Sequence, residues 1–344
     1  MQLIRDWTGR SWELLQIRGW WFAVGLVLCI VAVFLPLKAE KSQNKRMLFL
    51  CVVLGIFLPV CNFAAIPLAV LLKKRDVRIG AVIAFLCAAN LLNPAGMLLG
   101  WAYMGAELAF SWMISAVLVS LFAGIICGRL LQPKENEEAV ILQTPLKDFR
   151  QLVPELACWL VAGVLAQGFL QVLIPNALWS NLLLNPKDAS FVQVAVAGLC
   201  RHVCLPDDVS LAASMVATGL RPGYAVLFLV AGVCTNLPEL FVLYGMTGKK
   251  TAVGYLCITT AAGLLAAFAT ECLIGSDFVP QFNLADTEHL VRLANLCNIR
   301  TWMPARIPCA CILLFLAGLG LWRRNDHLSF GPIQHGRTEN KRKN

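Results

Sequence analysis

The chain has 344 residues, 58% of them hydrophobic and 14% charged, with a mean hydropathy of +0.70. Soluble domains carry about a quarter charged residues, so this composition excludes a soluble enzyme and points to an all-α polytopic membrane protein. The formal charge of +9 sits mainly in short loops and the tail, where Lys and Arg set topology. The expected partners are therefore the lipid bilayer and a small solute, with no nucleic acid.

In chain order, residues 1–19 are charged and Trp-rich and lack a small-residue cleavage site, unlike a signal peptide. Leu3, Ile4, Trp7, Leu14 and Leu15 form an apolar stripe, so this segment is expected to be an interfacial helix. A first transmembrane unit covers 20–131. It contains a span over 20–37, a segment 47–72 interrupted by Pro59, Asn62 and Pro67, a span 79–104 broken around Asn90–Pro94, and a span 106–131. The polar stretch 132–151 divides the chain. A second unit over 152–274 repeats the order: a span 152–174, a broken segment 190–217, then 222–247 and 251–274. A loop at 275–301, a last span at 302–322 and a basic tail at 323–344 complete the chain.

The two units are related. With a constant offset of 143 and no gaps, residues 55–105 and 198–248 share 12 identities in 51 positions. Cys61/Cys204, Arg78/Arg221, Gly80/Gly223, Phe85/Phe228, Asn93/Asn236 and Gly105/Gly248 are among them, and apolar composition alone does not produce such matches. Paired interrupted hydrophobic segments in two halves mark a transporter's binding site.

Charge then decides the topology. If 47–72 and 190–217 are re-entrant hairpins, 20 Lys and Arg residues share one face and 8 the other; if every segment crosses, they divide evenly. The positive-inside rule selects the hairpins and puts the 20 in the cytoplasm. Three crossings separate the hairpins, so they enter from opposite faces. The expected fold is an inverted repeat of two span–hairpin–span–span units plus a C-terminal span, multi-pass in a bacterial inner membrane.

The first-half stretch LPVCNFAAIPLAVLLKKRDVRIGAVIAFLCAANLLNP resembles an LPVCSCGVVPLA…GA…AFL signature. The second-half stretch CLPDDVSLAASMVATGLRPGYAVLFLVAGVCTNLPELFVL resembles blocks of the form Cys–x–x–Asp…AAS…AFL…N. Both belong to a predicted-permease family that includes ArsP-type organoarsenical exporters and YraQ-like permeases. The resemblance covers 47–105 and 190–260. It implies a secondary transporter, acting in efflux, with a thiophilic cargo such as an organoarsenical or metal species. The family's paired cysteines are here Cys61 and Phe63, and its Gly-Pro before the second Asn is here Gly232-Val233.

The candidate substrate residues are Cys61 and Cys204 at the hairpin tips, and Asn93, Asn236, Thr235 and Glu239 at the helix breaks. Soft thiolates suit a soft cargo, although a membrane Cys is more often a packing residue. Asn, Thr and Glu at a break cap half-helix ends and line a cavity at the same time. Asp207 and Asp208 are candidates for proton coupling, because a carboxylate in an apolar surround exchanges its proton nearer neutrality. They also suit the first turn of a helix. Arg201 and His202 are placed to pair with them. No cofactor is expected and no phosphate-binding GxxxxGK[ST] occurs. Two other readings stand beside the permease: an intramembrane metal- or thiol-dependent enzyme built on Cys200, His202 and Cys204, and a degenerate permease kept as a scaffold or sensor. Oligomeric state is left open by the sequence.

Overall fold

A computed structural model describes residues 2–34, 45–58, 62–75, 77–130, 145–173, 189–201, 205–275, 278, 284–297 and 303–326. Thirteen helices account for nearly all of them. They are α1 (Gln2–Phe34), α2 (Lys45–Phe57), α3 (Asn62–Lys74), α4 (Ile79–Leu91), α5 (Pro94–Leu130) and α6 (Pro145–Leu173). There follow α7 (Phe191–Arg201), α8 (Leu205–Ala217), and α9 (Pro222–Leu227), which continues through a π turn at Phe228–Gly232. The chain ends with α10 (Leu237–Thr247), α11 (Lys249–Ile274), α12 (Leu284–Cys297) and α13 (Met303–Asp326). Six of the described helical stretches are long and apolar enough to cross a membrane. The chain is a multi-pass α-helical membrane protein.

The centre of the bundle is α4 together with 222–234. All thirteen residues of α4 are buried. The span beginning at Pro222 is 83% buried over its most apolar window, against 17–44% for the other five. A helix apolar on every side has to be enclosed by other helices. Here α2, α5, α7, α8 and α11 supply the enclosure. A second apolar core joins α1, α3, α6 and α13 around Trp21, Phe22, Phe63 and Leu160.

Related segments make related contacts. The α carbon of Gly55 approaches the α4 backbone so closely that a β-carbon there would lie 2.8 Å from the Phe85 carbonyl oxygen. At Gly198 the corresponding distance is 3.1 Å, to the Phe228 carbonyl oxygen. Gly80 packs on the Gly124 carbonyl, and Gly223 on that of Ala267. Gly105 and Gly248 turn the chain between limbs with φ of 79° and 89°, a region only glycine enters freely. Each member of these pairs lies 143 residues from its counterpart. Gly80 and Gly223 stand in the first turns of α4 and α9 as close-packing sites.

Contacts also gather the helix ends. Arg75 Nη2, past the end of α3, donates to the Ala32 carbonyl near the end of α1 at 2.8 Å. Gly128, near the end of α5, packs on Gly80 at the start of α4. Gly320, near the end of α13, packs on Pro154 and Cys158 of α6. Elsewhere, Ser111 Oγ lies 2.8 Å from Thr270 Oγ1, and Glu271 accepts from the Gly223 amide.

Two segments differ from the sequence reading. Residues expected to form a separate interfacial helix run on without a break into α1; Gly19, at the expected boundary, is helical and packs against the Cys309–Ala310 backbone. Ser11, Leu14, Leu15, Arg18, Phe22 and Cys29 are buried along α1, a 3.6-residue stripe facing α6 and α13, whereas Leu3 and Ile4 are exposed. The expected loop at 275–301 contains α12, which packs on α5.

Leucine at Gly55 or Gly198 would drive a side chain into backbone that cannot retreat. Each substitution is expected to destabilise the protein by about 1–3 kcal/mol, the cost of overpacking. Gly318→Leu, at a site with nothing within 4 Å, is expected to be near neutral. Thermal unfolding of the detergent-solubilised protein measures the difference.

Candidate functional site

Both central helices are broken by proline. Pro94 has no N–H to offer the carbonyl of Asn90 four residues earlier, and Pro238 has none for that of Cys234. The backbone leaves the helix at Leu92 (φ −132°, ψ 42°) and at Asn236 (φ −58°, ψ 136°). Asparagine restarts it in both places. Asn93 Oδ1 accepts from the amides of Ala95 and Gly96 at 2.8 and 3.2 Å. Asn236 Oδ1 accepts from the Glu239 amide at 3.1 Å. These are N-caps at repeat-equivalent positions.

The second break carries a carboxylate that the first lacks. Glu239 is 1% exposed, and three helices hold it. Asn236 Nδ2, from its own cap, donates to Oε2 at 2.7 Å. Asn90 Nδ2, from the end of α4, donates to the same oxygen at 2.6 Å. Tyr255 of α11 donates its hydroxyl to Oε1 at 3.2 Å. The Cys87 thiol in turn donates to Tyr255 Oη at 3.8 Å, and Cys234 lies beside Cys87 and Tyr255. A capping glutamate needs only its own helix end; contacts from α4 and α11 make this one a junction.

A narrow crevice leads to it. One face each of α3, α4 and α10 lines it, with Lys73, Ile79 and Thr247 at one end, Val70 and Val82 along the walls, and Glu239 at the other end. The repeat-equivalent helix pair, α8 with the first limb of α5, is closed. There Leu205 packs directly on Gly96, where a β-carbon would lie 2.7 Å from its Cδ2. Gly96 is the counterpart of Glu239.

The structure thus brings Glu239, Asn236 and Thr235 together. The Thr235 hydroxyl is turned back onto the Ala231 carbonyl. Asn93 stands one turn beyond Asn90 as the cap of α5. Asp207 and Asp208 occupy the first turn of α8, Asp207 exposed and Asp208 3% exposed. A helix N-terminus stabilises such carboxylates. Cys61, His202 and Cys204 lie outside the described residues, as do the side chains of Arg201 and Cys200.

Sequence reasoning missed Tyr255 and Cys234 and read Cys87 as packing. Tyr255 is the polar group in the middle of an otherwise apolar stretch of α11, the one signal available. Arg18 was also missed. It is fully buried, donates to Gln167 of α6 and lies 4.6 Å over the Phe63 ring. A cation–π pair of this kind holds a charge that hydrocarbon would not. Phe63 is the residue standing where the resembling family has its second cysteine.

Comparison with known proteins agrees with this architecture. A family model described as a predicted permease, of the ArsP type, matches residues 37–272. UPF0718 protein YcgR of Bacillus subtilis is 22% identical over 266 residues, covering 70% of this chain and 90% of that protein. No solved structure matches. With the match spanning both helix breaks and more than half of its length, the chain belongs to the predicted-permease family.

Proposed function

We propose that this protein is a secondary permease that moves a small solute past the two helix breaks by alternating access, rather than an enzyme or a scaffold. The observation that carries the reading is the unequal pairing at equivalent positions. On the α3–α10 side a narrow crevice reaches the buried Glu239, whereas on the α8–α5 side Leu205 fills the corresponding place on Gly96. Unequal packing at repeat-equivalent positions suits a transporter whose halves alternate between two arrangements.

In this reading the halves are inverted repeats. Support comes from the contacts recurring at an offset of 143 and from the helix ends gathered beside Lys73–Arg78. That end of the bundle carries the basic flanks and is the cytoplasmic one. The crevice then opens to the cytoplasm, as loading for efflux requires. Single cysteines at Lys41, Lys74, Asn136 and Lys341, in a cysteine-free background, are expected to react with an impermeant maleimide only from the cytoplasmic side. Labelling of positions 41 and 74 from opposite sides would remove the hairpin and with it the inversion.

The cargo class follows from the family resemblance and the hairpin-tip thiols Cys61 and Cys204. A thiophilic species, an organoarsenical or a soft metal ion, needs both thiols, and a polar organic solute needs the amides at the breaks instead. Of the two α8 carboxylates, Asp208 is the buried one and the candidate for proton exchange. In proteoliposomes, Cys61→Ser or Cys204→Ser is expected to lower arsenical transport at least tenfold. Asp208→Asn is expected to abolish its dependence on a pH gradient, and Asp207→Asn to leave it. Normal arsenical transport in both Cys variants refutes the soft cargo.

A further inference from the structure

Every polar hydrogen around Glu239 points at its carboxylate. Asn90, Asn236 and Tyr255 all donate, and Tyr255 in turn accepts from Cys87. Three donors converging on one carboxyl group suit its ionised form. The described residues supply it with no cationic partner. Lys73 lines the mouth of the same crevice, two helical turns from Glu239 along α10. An ionised carboxylate enclosed by apolar helices requires a positive charge at close range.

A second observation shows where that charge goes. Asn90 is 1% exposed and its Oδ1 has no hydrogen-bond partner. Turning the amide over would set this oxygen against Glu239, an arrangement that suits only the protonated acid. The two breaks also leave the main-chain carbonyls of Asn90 and Cys234 without their helical donors, because Pro94 and Pro238 have no N–H. Both stand at C-terminal ends of half-helices, the negative ends. The collected groups are hard oxygens with one formal negative charge. Such a set suits an alkali cation better than a soft metal or a divalent ion. Unwound carbonyls at broken helices serve this purpose in transporters.

We propose that Glu239 and Asn90, with the carbonyls of the two breaks, form a binding site for a monovalent metal cation of sodium size. The site rests on the permease reading for its use as a coupling ion, though not for its existence. It is separate from the proton exchange assigned to Asp208. The groups facing Glu239 are Asn90 and Cys87 from α4, Tyr255 from α11, Asn236 and Cys234 from the second break, and Lys73 across the crevice from α3.

The test uses the full-length protein in detergent, with thermal unfolding followed in sodium, potassium or choline chloride at equal ionic strength. Binding of radioactive sodium is measured alongside. Sodium is expected to raise the melting temperature saturably over choline, as a ligand of the folded state does. Glu239→Gln is expected to lose the sodium-specific rise. Asn90→Leu, which keeps the size and removes the oxygen, is expected to raise the half-saturating concentration at least tenfold while unfolding cooperatively in choline. Equal melting in all three salts overturns the site, as does a sodium effect that survives Glu239→Gln. Stabilisation by acid alone overturns it in favour of a proton. Solute transport in choline without sodium binding refutes the cation site and leaves the permease; sodium binding without transport of any solute refutes the permease and leaves the site.

Discussion

A carboxylate buried in a helical bundle has to be solvated by the protein, since neither lipid nor the apolar side chains around it will do so. Glu239 meets this constraint by drawing on the end of α4, the cap of α10 and the middle of α11. Each of those helices is consequently fixed relative to the others at one point. The prolines make the arrangement possible. Without Pro94 and Pro238 the central helices would continue, Asn90 and Asn236 would face their own helical neighbours, and no half-helix end would meet another. Broken backbone at this depth is tolerable because other helices enclose it on every side.

Glycine does comparable work at the packing level. Close approach at Gly55 and Gly198 lets each hairpin lie directly on a central helix, and Gly80 and Gly223 let the long limbs do the same. These contacts recur between the halves more faithfully than the side chains do. Of the pocket-forming residues, the caps Asn93 and Asn236 recur, whereas Asn90 and Glu239 have Val233 and Gly96 as counterparts. The duplicated property is the backbone path, and the polar chemistry has diverged upon it.

Much of this was legible in the sequence for physical reasons. Hydropathy shows the spans because lipid admits little else. The breaks show because Pro and Asn interrupt apolar runs. Asn236 and Glu239, three apart and straddling a proline, read as a capped half-helix start, and the structure forms that cap. The meeting of Asn90 with Glu239 was not legible, since 149 residues separate them and nothing local reports the crossing of α4 over α10. Tyr255 and Arg18 were hidden for the same reason. Each sits in a long helix whose periodicity is set by apolar residues, and a single polar group barely disturbs it. The separation of residues 1–19 from the first span failed because a charged surface stretch and a helical continuation look alike until the neighbours of α1 are known.

The pairing of Gly96 with Glu239 has a consequence for stoichiometry. A duplicated fold begins with two equal sites related by its symmetry. Here one site has kept a side chain and the other has none, so the first half provides a flat surface on which Leu205 seats. Of these two equivalent positions, only 239 carries a carboxylate. Glu239 and Leu205 both belong to the second half and meet different partners in the first, so the two halves are not interchangeable. A chain built from two copies of the second half would set Leu205 against a carboxylate, and one built from two copies of the first would have neither Glu239 nor Leu205.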